Sequence, residues 1–87
     1  MHHACVAKLF LKSQKIIAER VKNLRHIKKL SQEKMAMDAE IDRTYASQIE
    51  RGIGNPSLKG LCALSEVLGV SLGELLSKSD KPDKSEN

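Results

Sequence analysis

The stretch SQEKMAMDAEIDRTYASQIER, Ser31 to Arg51, decides the fold. Ser31 is a hydroxyl N-cap ahead of a helix from Gln32 to Ala39, and Glu33 in its first turn suits the helix dipole. Met35, Ala36 and Ala39 form a narrow apolar face, and its two alanines let another helix approach closely. Glu40-Ile41 interrupts the pattern. Asp42 is a second N-cap and opens a helix from Arg43 to Arg51, which Gly52 and Gly54 stop. Two short helices are thus joined by a turn of about three residues.

Working outward, Asn55-Pro56-Ser57 is a turn that caps a helix from Leu58 to Leu68, ended by Gly69. Leu58, Leu61, Leu64 and Leu68 are its expected inner stripe, with Cys62 as a small core residue. Ser71 and Glu74 form a capping box for a last helix from Leu72 to about Ser77. Towards the N-terminus, Ile17, Val21, Leu24 and Ile27 recur at helical spacing and predict an amphipathic helix from Ser13 to Lys28 with a basic outer face. Val6, Leu9 and Phe10 allow it to extend backwards. Residues 1–12 are therefore read as an N-terminal extension, 13–77 as the domain, and 78–87, polar throughout, as a disordered tail. No strand pattern and no repeat is visible, so the fold class is all-α, a five-helix bundle.

Composition narrows the function. An 87-residue, 9.6 kDa chain makes one small domain with no room for a large catalytic cleft. Phe10 and Tyr45 are the only aromatic residues, too few for the stacking sheets that read single strands. Cys5 and Cys62 are too few for a disulfide framework, so a reducing, cytoplasmic setting is expected. No segment has the length and apolarity of a membrane span or a signal peptide, so no membrane partner is expected. His2, His3, Cys5, His26 and Cys62 lack zinc-site spacing, and there is neither a nucleophile–base pair nor a Gly-rich phosphate loop. No metal, cofactor or enzymatic activity is expected.

The net charge is +4, unevenly spread. Lys8 to Ser31 carries eight basic residues and one acid, whereas Gln32 to Leu76 carries four basic residues against seven acids. Bulk attraction to a polyanion therefore belongs to the first helix. Chemistry that can discriminate lies elsewhere. At about 100° per residue, Arg43, Ser47, Arg51, Thr44 and Gln48 share an arc of about 140° on the third helix, opposite Tyr45, Ile49 and Ala46. A guanidinium bridges guanine O6 and N7, an amide bridges adenine N6 and N7, and small hydroxyls permit close approach. A merely solvated face is usually rich in Glu and Lys, but this arc holds no acid. A tight corner followed by such a helix is the arrangement of a helix-turn-helix, whose second helix enters the major groove.

These residues carry a resemblance: Leu30-Ser31-Gln32-Glu33, then Ile41 to Gly52, Asn55-Pro56-Ser57-Leu58, and Leu68 to Leu76. Together they resemble the XRE family, the helix-turn-helix domain of phage repressors and Cro, over about residues 17–76. The length and the run Ile41-Asp42-Arg43-Thr44-Tyr45 are also similar to controller proteins of restriction-modification systems. The resemblance implies a repressor-like bundle in which Arg43, Thr44, Ser47 and Gln48 read bases. It implies that Gln32 contacts phosphate and braces the reading helix, that Arg51 and Asn55 touch backbone or groove edge, and that Tyr45 touches phosphate. Arg25 and Glu50 match the family's structural ion pair. Lys29 and Glu40 stand where the family often has glycine at positive φ. Ala46 replaces a larger aliphatic residue, a gap for Met35 or the N-terminal segment to fill.

The expectation is a sequence-specific regulator of double-stranded DNA. One reading helix spans too few base pairs, so a homodimer on paired half-sites is expected, with Val70, Leu72, Leu75 and Leu76 as the dimer surface. The alternative is an antitoxin or co-regulator whose main partner is a protein such as a toxin. If the chain activates transcription, RNA polymerase becomes a partner, for which Glu33, Asp38 and Glu40 offer an acidic patch.

Overall fold

The computed structural model describes residues 2–77, with side-chain burial from Cys5 onward. The expected disordered tail lies outside the described residues. Five helices follow one another: α1 (His2–Ile27), α2 (Gln32–Ala39), α3 (Arg43–Glu50), α4 (Leu58–Leu68) and α5 (Leu72–Leu76). Among the described residues there is no strand.

Side chains start four of the five helices. Ser31 Oγ accepts from the Lys34 N–H at 2.9 Å, Asp42 Oδ2 from Thr44 at 3.1 Å, and Ser57 Oγ from Gly60 at 3.0 Å. The capping box of α5 closes both ways: Ser71 Oγ accepts from Glu74, and Glu74 Oε1 accepts from Ser71 N–H at 2.8 Å. Glu40 ends α2 in the left-handed region at φ 58°, and Lys29 does the same after α1, where a side chain costs about 1 kcal/mol relative to glycine.

Ile17, Val21, Met35, Ala36, Ala46, Ile49, Leu61, Leu64, Leu68 and Leu75 make one core to which every helix contributes. Met35 and Ala46 are both fully enclosed in it. Of the two candidates for the space beside Ala46, the N-terminal side chains described, residues 5–12, are exposed and do not fill it. The Arg20 guanidinium fastens α5 by donating to the Glu74 carbonyl at 3.2 and 3.0 Å.

The structure corrects several expectations. The backward extension that Val6, Leu9 and Phe10 allowed is present, since α1 runs unbroken from His2, and its packing into the bundle begins near Ser13. Ile27 is 73% exposed because it lies about 120° round the helix from Val21. Leu58 is 66% exposed: as the first residue of α4, its side chain leans back past the helix end, beyond the core. Cys62 is exposed, about 100° round from Leu61, while Ser65 takes the inner place and donates to the Leu61 carbonyl. Arg51 caps α3 instead of continuing it. Within the expected dimer surface, Leu75 is fully buried, because the five-residue α5 has one inward face and Leu75 is its core anchor. Val70 and Leu72 are half-buried against the core, and Leu76 is exposed.

Candidate nucleic-acid interface

The orientation of α3 is set from behind by a buried carboxylate. Glu50 is 3% exposed, and Arg25 from α1 grips it with two donors, Nε to Oε2 at 2.6 Å and Nη2 to Oε1 at 3.0 Å. The same guanidinium donates to the Leu30 carbonyl at 2.8 Å, so one side chain joins α1, the link into α2, and α3. Gln32 completes the set by donating from Nε2 to Glu50 Oε1 at 3.2 Å. The first residue of α2 thus holds the last residue of α3, and the corner between them cannot open without breaking a charge-assisted contact.

On the outer side, Gln32, Arg43, Thr44, Ser47 and Arg51 line one open hollow of about 310 Å³. Arg43, Thr44 and Arg51 are exposed, whereas Ser47 and Gln48 are half-buried. Gln48 lies at the edge of this group beside Gly54, where a Cβ would stand 3.6 Å from its Oε1. Asn55 is exposed on the following loop. The hollow therefore presents two guanidinium groups, two hydroxyls and an amide. Glu50, the nearby acid on α3, faces inward against Arg25.

Tyr45 is not in this group. Its hydroxyl accepts the Ser57 N–H at 2.8 Å and lies 3.3 Å from Ser57 Oγ. Its ring lies so close to Gly60 that a Cβ there would come within 2.9 Å of Cε2. Its position makes it a tie between α3 and α4.

Gln14 escaped the sequence reading. It is buried on α1 and its Nε2 donates to the Gly54 carbonyl, tying the first helix to the loop after α3. The signal was present as spacing: Gln14, Ile17, Ala18 and Val21 share the inner stripe, and a polar residue on such a stripe has a buried partner. Among the described residues, no group of three His, Cys, Asp or Glu side chains is placed to hold a metal ion. No described helix is long and apolar enough to cross a membrane.

Residues 21–75 match the family described as Helix-turn-helix (HTH_3). The chain belongs to this XRE-type helix-turn-helix family. Control protein C.SmaI of Serratia marcescens is 36% identical to it over 69 residues, covering 79% of this chain and 82% of that protein. Among solved structures, the restriction-modification controller protein C.AhdI from Aeromonas hydrophila superposes with a TM-score of 0.69 at 35% identity, over 71% of this chain and 94% of that one. SinR, a master regulator for biofilm formation crystallised in complex with DNA, gives a TM-score of 0.67 at 39% identity, over 70% of this chain and 98% of that one. This helix-turn-helix chain shares an all-helical fold with C.AhdI and SinR.

Proposed function

We propose that this helix-turn-helix protein is a cytoplasmic, sequence-specific transcriptional regulator of double-stranded DNA, acting as a homodimer on paired half-sites and belonging to the restriction-modification controllers. The supporting observation is the exposed hollow on α3, where Gln32, Arg43, Thr44, Ser47 and Arg51 converge in front of a helix braced by the Arg25–Glu50–Gln32 contacts. Arg43, Thr44, Ser47 and Gln48 read base edges in the major groove; Gln32, Arg51 and Asn55 hold phosphate or groove edge. Arg25 and Glu50 keep the reading helix in register and Tyr45 ties it to α4, so these three act on affinity through geometry.

Dimerisation follows from length. The eight residues of α3 span about 12 Å and reach only a few base pairs, so two copies about 34 Å apart are needed for a unique site. Leu76, with the outer edges of Val70 and Leu72, supplies the contact. The similarity to C.SmaI and C.AhdI supports the controller reading.

The test is a titration against genomic fragments at several salt concentrations. Preference for one fragment over competitor DNA, relaxed by roughly 1–3 kcal/mol in Arg43→Ala or Gln48→Ala, supports the proposal. Gln32→Ala should weaken all sites alike. Binding that shows no preference at physiological salt would refute it.

A further inference from the structure

The proposed function sets Arg51 and Asn55 of the α3–α4 loop against the DNA backbone or groove edge, yet no basic side chain occurs between Arg51 and Lys59. The cations beside it come from another element. Lys12 and Lys15 of α1 line an open hollow of about 390 Å³ together with Leu11, Gln14 and Gly52, the residue that directly follows Arg51. Gln14 fixes this juxtaposition through its bond to the Gly54 carbonyl, and a Cβ on Gly52 would stand 3.8 Å from that of Ala18. Lys8, one turn before Lys12, continues the row, and all three lysines are exposed. At about 100° per residue they share an arc of about 60° on the flank of α1 next to the side that Gln14 and Ala18 turn towards the loop. Glu19 is the only acid from Lys8 to Ser31.

From Gln14 the helix runs back without a break towards His2, and Lys8 stands six residues, about 9 Å, along it. Lys8 thus lies beyond the point where Gln14 ties α1 to the α3–α4 loop, still on the same rigid rod. We propose that Lys8, Lys12 and Lys15 form a phosphate rail: a second DNA-contacting element that grips the duplex backbone flanking the half-site and supplies the charge the α3–α4 loop lacks. The inference rests on the DNA-binding reading above and extends it from base reading to the flanks. The rail carries no sequence information, because ammonium groups on phosphate see only charge. It raises affinity equally for right and wrong sites, and its contribution depends on flank length and salt.

The experiment compares the full chain with its Lys8→Gln/Lys12→Gln/Lys15→Gln variant on the preferred fragment and on an unrelated duplex, each with long and trimmed flanks. On long flanks, log affinity against log salt should become shallower by about 0.9 per lysine replaced, roughly 2–3 in all, on both duplexes. The preference ratio should stay unchanged, and trimming should weaken the wild type while leaving the variant almost unaffected. Lys28→Gln is the control, since Lys28 lies against Gly69 at the α4–α5 turn. An unchanged slope in the triple variant overturns the rail, as does an equal loss on trimmed and long flanks. If the lysines instead serve an acidic protein partner, DNA affinity stays at the wild-type value. Failure of the regulator reading looks different: no preferred fragment for the wild type, with the rail still judged by its salt slope on arbitrary duplex.

Discussion

Glu50 is a carboxylate at the back of a surface proposed to meet phosphate, and its burial makes that arrangement sustainable. With its side chain 2% exposed and that of Arg25 13% exposed, the pair is shielded from solvent. Arg25→Ala would leave a buried charge unpaired, a loss of about 3–5 kcal/mol. In a domain of this size the melting temperature should fall by at least about 12 °C. Calorimetry of that variant tests the assignment, and a wild-type melting temperature with lost DNA affinity would contradict it. The close approach of Tyr45 to Gly60 gives a second prediction. In an exposed helix Gly→Ala gains about 1 kcal/mol, but Gly60→Ala must displace the Tyr45 ring and should lower stability. Adding Tyr45→Ala to Gly60→Ala should then cost less than it does in the wild type, a coupling that denaturant unfolding can measure. At this scale the pair Arg25 and Glu50 was legible only through resemblance, and the tie made by Tyr45 was not legible. Its wheel position gave the correct side of α3 but not the Ser57 N–H that its hydroxyl meets from a loop twelve residues away.

The elements divide by how they are specified. α2 and α4 were read at their true limits because both are bracketed by local chemistry: a serine cap at one end, and a left-handed residue, Glu40 or Gly69, at the other. α1 was not, because its first turns carry no cap signal and its stripe drifts, so neither its start nor the exposure of Ile27 followed from spacing. Asp42→Ala should cost about 1 kcal/mol, since Thr44 would lose its acceptor at the start of α3. Thermal unfolding would show a small loss, and preference among DNA sites should weaken with it. By contrast, Val6→Gln/Leu9→Gln should leave stability within about 0.5 kcal/mol per site, because both residues are 64% exposed on α1. A large drop in melting temperature would show that these side chains are enclosed in solution.

For the whole molecule, the four residues expected to form the dimer surface separate into core and surface. Leu75→Ala should cost about 2–5 kcal/mol, because it empties a fully enclosed position where α5 meets the bundle. Leu76→Asp should leave the melting temperature of the protomer nearly unchanged and weaken self-association, which sedimentation at several concentrations can resolve. If both variants lose stability alike, the dimer surface lies elsewhere. The charge distribution acts at the same scale. The excess basic charge sits on α1, whereas α3 lies in a net acidic segment. On the proposed function, attraction and discrimination are thereby given to different elements.

What the sequence determined by itself was local: the caps, the helix periods, the three-residue corner and the polar arc of α3, all of which depend on neighbours within a few positions along the chain. Tertiary structure decided which side of each stripe found a partner. It enclosed Leu75 while leaving Leu76 outside, placed Ser65 inward in preference to Cys62, and brought Gln14 to Gly54 across forty positions of sequence. Helical periodicity names a face but not its neighbour. Burial is decided only when five helices compete for one small core.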